Sequence, residues 1–290
     1  MAITASMVKE LRERTGLGMM DCKKALVDAD GDMELAIEEL RKKSVLKAAK
    51  KSGRTTANGL LGLKMADDAG KAAIVEINIE TDFAAKNEKF IAFVAKVADA
   101  VFESVDGDIE ALKQSGLDKE RETLVQEIGE NISIRRGELA VAPEGGCVAC
   151  YMHTDNLKGA LVVLNTNDIE LGREVAMHIT AINPMVIRSE EISEEIIGKE
   201  REIYTSQAQD SGKPPEIIEK MVEGRIRKFL SEVSLIDQPF VKEPDRKVGD
   251  LLDASNAEVI SFCRLEVGEG IEIEEEDFAA EVAAQLQESQ

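Results

Sequence analysis

The chain has no tryptophan, and only 2 tyrosines, 2 histidines, 4 cysteines and 6 prolines among 290 residues. With aromatics at 3% it offers no platform of rings for stacking bases. Cys22, Cys147, Cys150 and Cys263 are too few and too scattered for a disulfide framework, which makes the cytoplasm the default compartment. Cys147 and Cys150 have the Cys-x-x-Cys spacing. They fall on a predicted strand, where side chains three apart point to opposite faces, and no second pair completes a zinc site. His153 and His178 have no nucleophile–base partners of recognisable type. Gly16 and Gly18 follow no strand and read as a tight turn rather than a phosphate loop. Positive charge is also scarce, 36 Lys and Arg against 57 Asp and Glu, a net charge of −21. That argues against direct nucleic-acid binding, which needs clustered cations. No apolar run is long enough to span a bilayer, and Met1-Ala2-Ile3-Thr4 lacks the pattern of a secretion signal. The expectation is a non-enzymatic protein that needs no metal or cofactor and binds neither membrane nor nucleic acid.

What the chain does have is 43% hydrophobic and 32% charged residues, enough for a sizeable core in more than one domain. Residues 1–54 read as three short helices and a linker. Thr4 or Ser6 caps the first, the second starts near Asp21, and Leu35, Ile37 and Leu40 mark the third. Met19 and Met20 sit on the intervening turn. Either one packs inward or both serve a partner surface. The run from Lys42 to Arg54 reads as helix tail and linker, a solvated basic face or a steering patch.

The stretch from Ile74 to Phe83 is the anchor. Ile77 and Ile79 alternate with Asn78 and Glu80 as in a strand, which stops at Thr81-Asp82-Phe83. A helix with Phe90, Phe93, Val94 and Val97 on one face follows. Phe83 is then either a core ring closing its own helix or a wedge presented to a partner. Gly59 to Asn78 aligns with Gly146 to Asn165 at a constant offset of 87 (146 − 59 and 165 − 78). Each copy reads strand, turn, strand, helix. Asp168-Ile169-Glu170 stands where the first copy has Thr81-Asp82-Phe83, and His153 stands where it has Ala66, so the differences between copies mark candidate function. His153 is either incidental or a partner contact.

This predicts an α+β fold with two repeated core subdomains, 55–142 and 143–188 joined by 232–267. A helical region with Leu112, Leu117, Leu124, Ile128 and Ile132 links them, ending at Arg135-Arg136-Gly137. Residues 189–231 read as an antiparallel coiled-coil hairpin starting at Ser189, with Ile192, Ile196, Ile203 and Gln207 on one seam and Ile218, Val222, Arg225 or Ile226, Phe229 and Val233 on the other. Leu235 to Val241 reads as a loop, Glu258 to Val267 as a strand rejoining the second subdomain, and 268–290 as a C-terminal helical module.

Several of these segments together resemble one family. Thr15-Gly16-Leu17-Gly18-Met19-Met20-Asp21-Cys22-Lys23-Lys24-Ala25-Leu26 resembles the N-terminal signature of bacterial translation elongation factor Ts. Glu80-Thr81-Asp82-Phe83 resembles its nucleotide-exchange motif, and Ala176-Met177-His178-Ile179 and Val267-Gly268-Glu269-Gly270 are also similar. Ala84, where relatives carry a larger aliphatic residue, and Lys242, where an apolar contact is expected, depart from the pattern. The resemblance implies a guanine-nucleotide exchange factor whose partner is the GTPase elongation factor Tu, acting only indirectly on that partner's GDP and Mg²⁺. It implies a ubiquitin-associated-like (UBA-like) N-terminal module. Thr81, Asp82, Phe83 and Ala84 would form the Mg²⁺-dislocating motif. Arg12, Met19, Met20, Lys23, His153, Phe240 and Val241 would be partner contacts. The helical hairpin could join two chains in a homodimer. The alternative is a UBA-like scaffold that dimerises without exchange activity.

Overall fold

In the computed structural model, residues 3–209 and 214–272 are described. Thr4 opens the first helix, α1 (Ala5–Thr15), by accepting the Met7 N–H at 3.3 Å, and Gly16, at φ 71°, closes it. Helix α2 (Met19–Asp28) begins two residues before the expected start, with the backbone of Gly18 as its cap. Met19 and Met20 therefore lie on its first turn, not on the preceding loop. Asp32 caps α3 (Met33–Lys51) by accepting the Leu35 N–H at 2.9 Å. Leu11, Cys22, Leu26 and Leu40 fill the small core between the three helices.

The chain then forms β1 (Asn58–Met65), β2 (Lys71–Ile79), a single-turn α4 (Asp82–Ala85), α5 (Glu88–Glu103), α6 (Ile109–Leu112), α7 (Asp118–Ile128) and β3 (Ile132–Val141). These strands make one antiparallel sheet in the order β1-β2-β3. The stretch expected to stay helical through Ile132 to Arg135-Arg136-Gly137 is thus a strand. Gly129, at φ 92°, ends α7, and Ile132 and Ile134 then bury one face of an alternating segment.

The second half repeats the plan with β4 (Cys147–Met152), β5 (Lys158–Leu164) and α8 (Ile169–Ile182). After it come α9 (Glu194–Gln209), α10 (Pro215–Val233), a small ribbon of β6 (Pro239–Phe240) with β7 (Glu243–Lys247), α11 (Val248–Asp253) and β8 (Val259–Glu266). Strand β8 returns to pair with β5, giving the sheet β4-β5-β8.

The offset of 87 holds down to single bonds. Ala69 and Asn156 both adopt left-handed backbone on their hairpin turns. Asp68 and Asp155 each accept an N–H two residues on, at 2.9 Å. The middle strands carry register shifts at equivalent places, Glu76/Ile77 and Val163/Leu164. The turns also reach across. Leu61 N donates to the Asn156 carbonyl and Val148 N to the Ala69 carbonyl, each at 2.8 Å. The two sheets therefore meet about a pseudo-two-fold relation.

Four layers result. Val75, Ile77 and Ile79 of β2 pack on Phe90, Val94 and Val97 of α5. Ala72 and Ile74, on the opposite face, meet Val148, Leu161 and Val163 of the second sheet. Val162 and Leu164 pack on Val175 and Ile179 of α8. Beyond Ile74 the inner face of β2 turns polar. Glu76 is fully buried and accepts from Asn78 (3.0 Å), Arg135 (2.9 Å), Arg136 (2.5 Å) and the Gly268 N–H (2.8 Å). Burial alone would raise its pKa. The Gly268 N–H, Asn78 and the two guanidiniums outweigh burial and hold it below the usual carboxylate range. Gly268 follows β8, so this carboxylate ties the two sheets together.

The basic run after Leu40 is the tail of α3 as far as Lys51, as expected, and its inner face buttresses the first subdomain. Ser44 and Ala48 are buried; Ser44 bonds Gln126 of α7, and Ala48 joins the first-sheet core. Lys42, Lys43, Lys47 and Arg54 pair with Glu38 and Glu39, Asp28, Asp21 and Glu80. In the hairpin, one 3-10 turn at Ser189–Glu191 precedes α9, and the α9 side of the seam is shifted by one residue from expectation while the α10 side falls at Ile218, Val222 and Ile226 as expected. Ile197, Tyr204 and Ala208 face Ile218, Val222 and Ile226, while Ile203 is exposed. The expected helix within 268–290 lies outside the described residues. No described helix is long and apolar enough to cross a membrane.

Candidate functional site

Strand β2 ends at Ile79, and the chain turns at Thr81 in extended backbone (φ −125°, ψ 155°). Thr81 donates its hydroxyl to one oxygen of Glu130 (2.8 Å) and its N–H to the other (2.9 Å). Its hydroxyl lone pair accepts the Ala84 N–H at 3.2 Å, capping α4. Ala84 and Ala85 turn inward to the core under α5. Asn87 breaks the helix and caps α5 through the Lys89 N–H. Phe83, on the outer side of this one turn, is 82% exposed, so it is not a core ring. Lys86 pairs with Asp82 at 2.9 Å, and its ammonium lies 5.4 Å from the Phe83 ring centre. That ammonium holds the Asp82 carboxyl below the usual range.

The N-terminal contact candidates come together. Arg12, Met19, Met20 and Lys23 line one groove between α1 and α2, with Ile3 and Val8 in its apolar wall. Met19 and Met20 are 59% and 73% exposed, so neither packs inward. The turn between α1 and α2 lies against the start of α5 and the end of α7. A Cβ added at Gly16 would come 2.3 Å from the Glu127 carboxylate and 3.0 Å from the Lys89 ammonium, which pair with each other at 2.5 Å. Lys89 is six residues past Phe83 in the chain.

His153 stands on the β4–β5 turn, half exposed, with Nδ1 3.0 Å from Asp155. Phe240 departs from expectation. It is 2% exposed and packs in the second-sheet core, its ring centre 5.9 Å from that of His178. Its neighbour Val241 is exposed instead, at 39%. The buried His178 ring fixes this ribbon. Its Nδ1 accepts the Val241 N–H at 3.2 Å, so Nε2 carries the proton and donates to Gln238 Oε1 at 2.8 Å. Lys242, where an apolar contact was expected, pairs with Glu174 at 3.0 Å.

The cysteines lie on opposite faces of β4 as the spacing requires, Cys147 under α8 and Cys150 toward the other sheet. Burial pushes the Cys263 thiol up to about 11 and raises both Cys147 and Cys150. Thiols so placed stay protonated at neutral pH. Among the described residues no cluster of three or more His, Cys, Asp or Glu could hold a metal ion. Sequence reading missed Glu130 and Asn131, which brace the corner from the loop after α7. The helix-stopping Gly129 before them was the available signal.

Comparison with known proteins covers the same corner. The family model described as elongation factor TS matches residues 80–269. The chain is 56% identical over 285 residues to elongation factor Ts of Hahella chejuensis, covering 98% of this chain and 99% of that one. It is 53% identical over 287 residues to elongation factor Ts of Teredinibacter turnerae (99% and 98% covered). It is 52% identical over 286 residues to that of Saccharophagus degradans (99% and 98% covered).

Proposed function

The chain belongs to the elongation factor Ts family of translation elongation, and from that premise we propose that it is a guanine-nucleotide exchange factor for elongation factor Tu. In this reading the α1–α2 groove grips the GTPase, and the Asp82-Phe83 corner is pressed between helices beside its phosphate site. Disturbing the Mg²⁺ and phosphate contacts there loosens GDP, so that GTP can bind. A factor that favours the nucleotide-free form must weaken GDP by the same ratio, by linkage.

The magnitudes require both parts. Accelerating release about a thousandfold needs a barrier lower by roughly 4 kcal/mol. Burying one phenyl ring supplies about 2–3 kcal/mol. The grip at Arg12, Met19, Met20 and Lys23 supplies the remainder, with Val241 and His153 as outlying contacts.

One observation carries the reading. Phe83 is 82% exposed on a turn that is capped, braced and backed by buried alanines. Such order at an exposed ring serves a partner rather than the fold. Stopped-flow release of fluorescent GDP from elongation factor Tu tests it. Phe83→Ala should slow stimulated release with little change in melting temperature. Unchanged release by the folded variant would refute the wedge. A complex with elongation factor Tu that dissolves on adding GDP and Mg²⁺ separates this reading from a scaffold without exchange activity.

A further inference from the structure

The loop Gly129-Glu130-Asn131, between α7 and β3, bonds two separate parts of the molecule at once. On one side it holds the end of α3. The Lys51 ammonium donates to the Gly129 carbonyl, and the Asn131 amide donates to the carbonyls of Arg54 (3.0 Å) and Ser52 (3.4 Å). On the other side it holds the root of the wedge. The Asn131 N–H donates to Glu80 at 2.6 Å, and the Glu130 carboxylate takes both Thr81 donors. Glu80 itself pairs with Arg54 at 3.4 Å, closing the circuit.

We infer that Glu130 and Asn131 are positioning residues of the exchange reaction, setting the direction of Phe83 relative to the α1–α2 grip. The inference rests on the exchange reading above. Helix α4 has four residues, too few to hold itself as an isolated helix. Its direction therefore depends on its cap, and the cap depends on Glu130. A threonine hydroxyl has one proton. Glu130 takes it, which leaves the lone pair aimed at the Ala84 N–H. Asn131 is 5% exposed, so its amide bonds to the α3 end are shielded from water. The same loop thus registers α3, on which α1 and α2 pack with the grip, and the turn that carries the wedge. Neither residue needs to touch the GTPase for this.

The test uses the full chain and the GTPase loaded with fluorescent GDP. The variants are Glu130→Ala, Glu130→Gln and Asn131→Ala, alone and with Phe83→Ala. Maximal release rate and half-saturating concentration are read separately, beside thermal stability. Glu130→Ala should lower the maximal rate about tenfold, as loss of a charge-assisted hydrogen bond allows, and Asn131→Ala, which loses two amide bonds to the carbonyls at the α3 end but keeps its backbone bond to Glu80, by roughly five- to tenfold. Half-saturation should stay unchanged. Glu130→Gln keeps one acceptor and the same shape, so it should fold as the parent does and recover part of the rate. In the Phe83→Ala background, Glu130→Ala should add nothing. Additive losses, or a rate that follows melting temperature alone, would overturn the inference. If Phe83→Ala slows release and the Glu130 and Asn131 variants do not, this inference fails and the wedge stands. If Phe83→Ala changes nothing, both fall.

Discussion

Thr81 and Asp168 stand 87 positions apart and make the same bond, each accepting the N–H three residues on, Ala84 at 3.2 Å and Leu171 at 3.0 Å. The two halves therefore start their helices alike and then diverge. In the second half the helix runs on to Ile182 with Glu170 on its outer side; in the first it stops after one turn and carries Phe83 there. Both positions face water. Phe83→Glu should thus leave stability within about 0.5 kcal/mol, as for other surface changes. Losing about 2 kcal/mol of phenyl contact should slow stimulated GDP release roughly thirtyfold. Calorimetry and stopped-flow fluorescence on one preparation check both halves of this expectation.

The grip should behave differently from the wedge. Met20→Asp places a charge in the apolar groove without touching the corner. The concentration of factor needed for half-maximal release should rise about tenfold or more, from roughly 1–3 kcal/mol of lost burial and added desolvation. The maximal rate should fall less than it does in Phe83→Ala, because the grip supplies the smaller share of the barrier reduction. A fall in maximal rate at unchanged half-saturation would show that the groove acts in the exchange step itself.

Glu76 sets a pH dependence of stability. Its folded pKa is lowered, while an unfolded glutamate titrates near 4.3. The stabilisation is therefore fully present above that value and is lost as pH falls through the lower folded value. Glu76→Gln should flatten this part of a urea-unfolding series against pH. Glu76→Ala, which removes the buried carboxylate shared by Arg135 and Arg136 and leaves them only their bonds at Glu266 and Glu269, should cost about 3 kcal/mol at pH 7.

His178 sets a second dependence at milder pH. Burial lowers its pKa, and the Gln238 bond offsets this only in part. Free imidazole titrates near 6.5, so stability should be complete above that value and fall as pH drops towards the folded value. The slope is at most about 1.4 kcal/mol per pH unit. Protonation at Nδ1 would also remove the acceptor for the Val241 N–H. His178→Gln should be less stable at pH 7 and lack this slope. Chemical denaturation from pH 7.5 to 5 reads both.

Three glycines should respond with opposite signs. A Cβ at Gly172 would lie 2.5 Å from the Ala149 Cβ, where α8 rests on β4. Gly172→Ala should therefore destabilise by about 1–3 kcal/mol through overpacking, despite better helix propensity. At Gly198 and Gly224, inside α9 and α10, nothing lies within 4 Å of the added carbon. Alanine there should stabilise by about 0.5–1 kcal/mol each. Urea midpoints of the three single variants decide the signs.

What could be read from the chain alone follows from how strong each local signal is. Strand β2 was legible because Ile77 and Ile79 alternate cleanly, and the end at Thr81 has an obvious cap. Strand β3 was not, because Arg135 and Arg136 occupy positions that look like helix surface and are satisfied only by the distant Glu76. Ile196 and Ile197 are adjacent, so the phase of the hairpin seam was ambiguous by one residue, and packing chose Ile197. The contact role of Phe240 came from the family resemblance, and its burial was not legible because its cover, His178, is 62 residues away (240 − 178). The brace at Glu130 and Asn131 had the same origin: its partners lie about fifty residues earlier in the chain, where no periodicity links them.

The reciprocal bonds from Leu61 to Asn156 and from Val148 to Ala69 are one contact viewed from either side, the signature of an isologous dimer. Two separate copies docked this way would each have to carry the same working edge. Fusion into a single polypeptide lifts that constraint, since a substitution in one half need not appear in the other. The body can thus be monovalent although its plan is divalent, with a phenyl group on one shoulder and a carboxylate on its twin.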